Sequence, residues 1–225
     1  MKFKVITLFP EIFEGFLNST ILGRARRDGI IDVELVQLRD FATDKHKSCD
    51  SYPYGGGAGM VLRPEPLAAA LKQLNSEAFW TIYLSPGGKL LNQTIVKQIS
   101  SKDTILLIAG RYEGIDQRII DKYVDEEISI GNYILSGGEV AAMVIIESVA
   151  RVVKGVINQQ SLVEESFVEN ELEYPQYTRP RDFQGLKVPD ILLSGNHAQI
   201  REWRRQKSII KTQELRPDLL EDSTD

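Results

Sequence analysis

The sequence predicts an α/β fold in which a mainly parallel sheet carries helices on its faces and a small helical domain follows near the C-terminus. Two observations predict it. Up to Val153, short apolar runs alternate with segments of helical periodicity, which is typical of parallel sheets. Beyond residue 175 the sequence becomes basic and helical in pattern. With 225 residues, 42% of them apolar, the chain can enclose one sizeable core plus a smaller appendage.

Four segments are rich in β-branched and apolar residues and are followed by turn residues, as strands are. They are Lys2–Leu8, Asp32–Leu38, Phe79–Leu84 and Thr104–Ala109. A segment of helical periodicity comes after each of them. We therefore expect parallel strands linked by crossover helices.

Five segments have the periodicity of helices: Pro10–Leu17, Ser19–Arg27, Pro64–Leu74, Asn92–Ile99 and Gly138–Val153. The last is apolar nearly all round, which predicts that its own domain or a partner subunit buries it. It contains Glu147 and Arg151 and is too short to cross a membrane, so we expect no membrane attachment.

Charge is distributed unevenly along the chain. The net charge of −5 excludes a generally basic protein that coats nucleic acid. The segment Gln159–Glu173 contains five acidic residues and no Lys or Arg, and we interpret residues 159–175 as a flexible interdomain linker. Arg179–Arg216 contains nine Lys or Arg against four acids. The expected domains are therefore residues 1–158 and residues 176–225.

The chain has a single cysteine, Cys49, so it cannot form an intrachain disulfide. A reducing compartment fits this composition best. Met1–Leu8 alternates as a strand does and has no small-residue cleavage site, so we do not interpret it as a signal peptide. We expect a cytoplasmic protein.

Three glycine-rich segments predict a ligand pocket. Tyr83–Gly88 and Ala109–Gly114 follow predicted strands, and Ile128–Glu139 has a similar composition. Loops at the carboxyl ends of parallel strands gather in one crevice, where glycines let a ligand approach the backbone. Three independent turns are the alternative. Neither the dinucleotide fingerprint nor the P-loop pattern is present, which removes the usual nucleotide interpretations.

Eight motifs, in order, closely resemble the bacterial tRNA (guanine-N1)-methyltransferases over nearly the whole chain. They are Leu8–Glu11, Tyr52–Met60, Leu84–Pro86, Gly110–Asp116, Ser129–Gly131, Ser136–Glu139, Tyr177–Pro180 and Leu193–His197. The resemblance implies a fold of the SPOUT type, with a deep trefoil knot in the C-terminal part of the α/β domain. It implies methyl transfer from S-adenosylmethionine to N1 of the guanine 3′ of the anticodon, position 37 of tRNA. It also implies a homodimer in which each active site is completed by the other subunit.

The same resemblance implies a methyl-donor site in the knot. Its residues would be Tyr83, Leu84, Ser85, Pro86, Gly110, Tyr112, Glu113, Ile130, Gly131, Asn132, Tyr133, Ile134, Leu135, Gly137 and Gly138. Asn132 stands where the family commonly has Asp, and Lys154 stands where it commonly has Pro. The family's reaction depends on magnesium, so Mg²⁺ is expected. No cluster of acids in the sequence specifies the metal ligands.

Methylation at guanine N1 needs a base, because N1 carries a proton, and a cation for the charge that develops on O6. The resemblance gives these roles to Arg151 and to the residue before Ser166, which here is Glu165 rather than the usual Asp. Glu164 and Glu169 are the alternative bases if the longer side chain of Glu165 does not suit this role. Without the family pattern, Arg151 would be a cation at a helix C-terminus and Glu165 one of several solvated acids.

A local basic patch could bind tRNA phosphates; it comprises Arg179, Arg181, Arg201, Arg204, Arg205 and Lys207. The residues predicted to face RNA are His46, Asp50, Arg181, Ser194, Asn196 and His197. The alternative roles are the solvated face of a helix for the patch and loop side chains or a helix cap for His46 and His197. Two other functions remain open. One is a knotted RNA methyltransferase acting on a ribose or another base, and the other is a non-catalytic RNA-binding module.

Overall fold

The computed structural model describes residues 1–158, 165–167 and 170–221. The chain divides into two compact units, Met1–Ile157 and Asn158–Asp225. The division of the sequence into two domains and a linker, with the boundaries given above, stays a prediction.

The first unit is built on a five-stranded sheet. Its strands are β1 (Lys2–Thr7), β2 (Asp32–Gln37), β5 (Trp80–Leu90), β6 (Thr104–Ala109) and β7 (Glu126–Ser129). They lie in the order β2-β1-β6-β5-β7, and every pair is parallel. Two short strands, β3 (Asp50–Ser51) and β4 (Val61–Leu62), form a separate antiparallel pair.

Six helices belong to this unit: α1 (Glu14–Asn18), α2 (Thr20–Arg27), α3 (Pro64–Gln73), α4 (Gln93–Ser100), α5 (Gln117–Tyr123) and α6 (Glu139–Val152). They cover two apolar clusters, one on each face of the sheet. Ile105 and Leu107 of β6 point into one cluster, and Leu106 and Ile108 point into the other. Burial on both faces explains why β6 is a continuous apolar run rather than an alternating one.

Local chemistry sets several helix ends. The Asn92 side chain accepts a hydrogen bond from the Ile95 amide at 2.9 Å and caps α4. Asp116 caps α5 in the same way through the Arg118 amide at 3.0 Å. The hydrogen bonds from Arg118 also lower the pKa of Asp116 below its ordinary value. The predicted helix Pro10–Leu17 is instead a 3-10 turn, Pro10–Phe13, followed by α1.

Strand β5 is longer than the predicted Phe79–Leu84. Its pairing with β7 shifts between Leu84 and Lys89, both of which pair with Ile128, so the four residues between them bulge out of the ladder. A Cβ on Gly88 would come within 2.6 Å of the Glu127 carbonyl oxygen. Glycine therefore lets the strand resume its pairing after the bulge.

The second unit contains the hairpin of β8 (Asp182–Phe183) and β9 (Leu186–Lys187) and two helices, α7 (His197–Leu215) and α8 (Asp218–Glu221). An extended segment lies along α7: the Leu172 amide donates to the Thr212 hydroxyl at 2.9 Å, and Lys211 Nζ donates to the Glu173 carbonyl at 2.9 Å. Across the described residues, no helix has both the length and the apolar character required to cross a membrane.

Candidate active site

The three glycine-rich segments meet at the bulge of β5 and at the carboxyl ends of β6 and β7, where they enclose a cavity of about 260 Å³. The structure brings every predicted donor-site residue to its wall except Asn132. The walls also contain Arg111, Gly114, Ile128 and Ser129, which lie in the predicted segments but are absent from the predicted set of donor-site residues, and Ala141, which lies outside those segments. Arg111 could have been found from its place between Gly110 and Tyr112.

Glycines make this cavity possible, because backbone segments approach each other closely around it. A Cβ on Gly138 would lie 2.8 Å from the Ala109 Cα, and one on Gly110 would lie 2.9 Å from the Tyr83 ring. The Gly138 amide donates to the Gly110 carbonyl at 2.8 Å. The loop before α6 therefore runs directly against the loop after β6, and neither glycine can carry a side chain without a shift of the backbone or of Tyr83.

Two tyrosines of the wall differ in environment. Tyr83 is 6% exposed, and burial raises the pKa of its phenol above the ordinary value, so its hydroxyl stays protonated and can donate a hydrogen bond. Tyr112 is 50% exposed and has a φ of 60°. An aromatic residue in the left-handed region is uncommon and is found more often at binding sites than elsewhere.

A fourth glycine-rich segment, Tyr54–Met60, contacts the loop after β6 that forms part of the cavity wall. The Glu113 amide donates to the Met60 carbonyl at 2.9 Å, and the Leu62 amide donates to the Gly114 carbonyl at 2.9 Å. A Cβ on Gly59 would collide with the Glu113 side chain, whose Cγ would lie 2.6 Å away. Strand β4 and its preceding loop thereby fix the position of the Glu113 carboxylate.

The predicted catalytic residues lie in different units. Arg151 is in the last turn of α6, where a cation also interacts favourably with the helix dipole. Glu165 is a partly buried residue of the second unit. The alternatives Glu164 and Glu169 lie outside the described residues.

The predicted RNA-facing residues are distributed over both units, and several have local structural roles. The His46 amide donates to Asp44, whose pKa is lowered by hydrogen bonds led by that from the Ser48 hydroxyl. The Ser194 hydroxyl donates to the Ile191 carbonyl at 2.7 Å, and the Asn196 side chain caps α7.

The remaining RNA-facing candidates are placed as follows. Asp50 lies in β3, His197 begins α7, and Arg181 forms an exposed ion pair with Asp190 at 2.9 Å. Within the ranges that the structure describes, no group of three or more His, Cys, Asp or Glu side chains is arranged to hold a metal ion.

The fold is that of an α/β protein with a cavity on the side of the sheet where its parallel strands end, the usual position of active sites in such sheets. A family model described as tRNA (Guanine-1)-methyltransferase TrmD matches residues 1–222, and the chain belongs to this family. The SPOUT knot fold is the fold of this family. The predicted α/β class and the family resemblance are therefore both confirmed.

Relatives resemble the chain throughout. A tRNA (guanine-N(1)-)-methyltransferase of Treponema denticola is 56% identical over 221 residues, which cover 98% of this chain and 91% of that protein. A protein of the same name from Clostridioides difficile is 52% identical over 230 residues and covers both chains completely. Another, from Treponema pallidum, is 53% identical over 98% of this chain and 88% of that protein.

Proposed function

We propose that this protein transfers the methyl group of S-adenosylmethionine to N1 of the guanine 3′ of the anticodon in tRNA. The observation that carries the proposal is the family match over residues 1–222, taken together with the cavity formed by the three glycine-rich segments. Both observations concern the same residues, because the family motifs quoted from the sequence supply most of the cavity wall.

The cavity has the properties that the methyl donor requires. When bound, S-adenosylmethionine supplies a methyl group activated by a sulfonium. The apolar side chains of Leu84, Ile128 and Ala141 offer a surface for an adenine ring, and the glycines expose backbone groups that can bind its edge. Arg111 and Glu113 add one cation and one anion to the wall, which match the carboxylate and ammonium groups of an amino acid.

Asn132 does not line the cavity as its neighbours do. The replacement of the family's common Asp by Asn at this position therefore removes a charge near the site but not from its wall. Glu113 is the acidic side chain that the wall presents, and we assign the contact with the donor's ammonium group to it.

We assign the proton chemistry to Arg151 and Glu165. Glu165 would accept the N1 proton of guanine, and the Arg151 guanidinium would stabilise the negative charge that develops on O6. A glutamate retains the carboxylate of the family's usual aspartate but is longer by one methylene group. We expect it to serve as the same base from a slightly more distant backbone position.

The dimer, the knot and the location are parts of the same proposal. Val140 and Val144 on α6 are 50% and 39% exposed, although half of the residues of that helix are buried within the first unit. Two exposed apolar side chains one turn apart on this helix support a second subunit at this face. We also propose that the backbone has the family's knot and that the protein is cytoplasmic. The single cysteine, Cys49, is free and buried, which fits a reducing compartment.

The magnesium requirement is also proposed. The described residues offer no preformed cluster of metal ligands. Mg²⁺ keeps several of its waters and commonly binds through few protein ligands, so the residues present are compatible with such an ion. We assign it no ligand set.

The test is methylation of transcribed tRNAs that carry or lack guanine 3′ of the anticodon, followed by digestion and identification of the modified nucleoside. We expect 1-methylguanosine only from the transcripts with that guanine. Another modified nucleoside would indicate a different RNA methyltransferase. No product and no calorimetric binding of S-adenosylmethionine would indicate a non-catalytic RNA-binding module.

A further inference from the structure

A buried carboxylate beside the cavity joins three distant parts of the chain. Glu139 is the first residue of α6 and is 1% exposed. Its Oε1 accepts a hydrogen bond from the hydroxyl of Thr7, the last residue of β1, at 2.9 Å. Its Oε2 lies 2.9 Å from Nε of Arg111, in the loop after β6. One carboxylate therefore connects β1, the loop after β6 and the start of α6.

The Arg111 guanidinium is also held from other directions. Its Cζ lies 4.5 Å from the centre of the Phe9 ring, and one of its terminal nitrogens donates to the Ser136 carbonyl at 3.3 Å. The Arg111 side chain is 19% exposed, and this exposed part forms a section of the cavity wall. An arginine has many rotamers, and these contacts together select one of them.

Burial makes the Glu139 carboxylate dependent on its partners. A carboxylate that water cannot reach is stabilised here by the Arg111 charge, by the Thr7 hydroxyl and by its place in the first turn of α6. Among the described residues, Oε2 has no hydrogen-bond donor, because its contact with Arg111 has the distance of an ion pair but not the alignment of a hydrogen bond. The Thr7 hydroxyl is thus the aligned partner of this carboxylate.

Glycine leaves the room that this ion pair occupies. A Cβ on Gly137 would lie 2.5 Å from Cδ of Arg111 and 2.6 Å from Oε2 of Glu139. Residues Arg111 and Gly137 also form an antiparallel bridge through their backbones. The ion pair and the bridge therefore hold the same two loops of the cavity together.

We propose that Glu139 and Thr7 are positioning residues for binding of the methyl donor and act through Arg111. This role rests on the donor-binding function proposed above. Neither Glu139 nor Thr7 lines the cavity, so their effect on a ligand passes through the Arg111 guanidinium and the loop that carries it. Their loss should weaken donor binding and leave turnover at saturating donor close to that of the wild type, because Arg151 and Glu165 are unchanged.

The first experiment compares two buried threonines on strands of the same sheet by titration calorimetry with S-adenosylmethionine. Thr7→Val removes the hydrogen bond to Glu139 and also the acceptor for the amide of Phe9, whose ring stacks on Arg111. We expect the donor Kd to rise about tenfold, the size of effect typical of a residue coupled to a site without touching the ligand. Thr81→Val is the matched control, because Thr81 is 1% exposed and its hydroxyl has no hydrogen-bond partner among the described residues. Thr7→Ser retains a hydroxyl and should restore most of the affinity.

The second experiment is a double-mutant cycle. Glu139→Gln preserves the shape and the acceptor for Thr7 but removes the charge, and it should raise the donor Kd about tenfold or more. In an Arg111→Ala background the same change should have little further effect on the Kd. Steady-state kinetics with tRNA should show the defect in the KM for the donor rather than in kcat, which a general loss of folded protein would not do.

The outcomes separate the two proposals. If the wild-type protein does not bind the donor, the proposed function is wrong and the positioning role is wrong with it. If the wild type binds and Thr7→Val binds within about twofold of Thr81→Val, the positioning role alone is wrong. An additive effect of Glu139→Gln in the Arg111→Ala background would equally contradict action through Arg111. Should Glu139→Gln fail to fold, the three threonine variants decide.

Discussion

The two units of the molecule present their candidate sites in different ways. The cavity of the first unit is formed by backbone at strand ends, where Gly110 and Gly138 lie in contact with neighbouring segments. In the second unit the candidates are mostly exposed side chains in turns and on α7, and Ser194 and Asn196 also hydrogen-bond local backbone.

The cavity of the first unit would therefore bind its ligand mainly through its shape, whereas the candidates of the second unit would bind mainly through charge. A site formed by packed backbone tolerates no change of volume, because the sheet holds both sides of it in place. A site formed by exposed cations loses affinity gradually, one ion contact at a time. Substitutions in the cavity wall should therefore have large, local effects, and substitutions of the exposed cations of the second unit should have small, roughly additive ones.

The largest effect should come from loss of the proposed proton chemistry. We expect Arg151→Ala or Glu165→Gln to reduce single-turnover methyl transfer by about 10²-fold or more, while the Kd for S-adenosylmethionine stays near that of the wild type. Glu165→Asp, which restores the family's usual residue, is the control and should remain active. Unchanged turnover in both inactivating variants would contradict the assignment.

The next largest effect should come from filling the closest backbone contact of the cavity. Gly138→Ala would place a Cβ 2.8 Å from the Ala109 Cα, and we expect a loss of about 1–3 kcal/mol in the free energy of unfolding together with weaker donor binding. Gly15→Ala is the matched control, because Gly15 lies in α1 and a Cβ added there would meet nothing within 4 Å. Urea denaturation that leaves both variants equally stable would show that the cavity can expand.

A smaller effect on donor binding should come from alanine substitutions in the loop Tyr54–Met60. They distinguish a steric contact with Glu113 from strain of the loop backbone. Gly59 and Gly56 have φ values of +88° and +81°, so alanine strains the backbone similarly at both. Only at Gly59 does the added Cβ meet Glu113; at Gly56 it meets nothing within 4 Å. We expect Gly59→Ala to raise the KM for the donor several-fold more than Gly56→Ala. Equal KM values for the two variants would mean that donor binding does not depend on the position of the Glu113 side chain.

The smallest effect should come from the cations of the second unit. Arg205 is exposed on α7, and we expect Arg205→Ala to weaken tRNA binding a few-fold and to reduce the salt dependence of log K by about one ion contact. Filter binding at several salt concentrations measures both quantities, with Lys102→Ala in the first unit as control. An unchanged salt dependence would place the RNA elsewhere.

Most of the sheet can be predicted from the sequence, because four of its strands are apolar runs with clear ends. Strand β7 escapes such a prediction, since its sequence begins with Glu126 and Glu127 and only Ile128 and Ser129 are buried. In sequence, the bulge of β5 looks like a loop that ends the strand. The strand continues beyond Gly88 because Lys89 and Leu90 pair with β7, and local sequence does not reveal that pairing.

The residues of the candidate site can be predicted largely from the family motifs. The prediction is incomplete where contacts between distant parts of the chain determine which side chains meet. Thr7 and Glu139 are 132 positions apart, so no local pattern could pair them. Their link through Arg111 forms only once the sheet brings β1 beside β6. Conversely, Asn132 lies within the glycine-rich segment Ile128–Glu139 and yet not at the cavity wall, because sequence proximity does not fix the direction in which a loop residue points.

The central claim is that three separate segments form one methyl-donor site. Hydrogen exchange of backbone amides with and without S-adenosylmethionine tests it most directly. We predict that the donor slows exchange together in residues 84–88, 110–114 and 130–138, with little change in α7. Protection confined to a single segment, or found mainly outside these three, would contradict the claim.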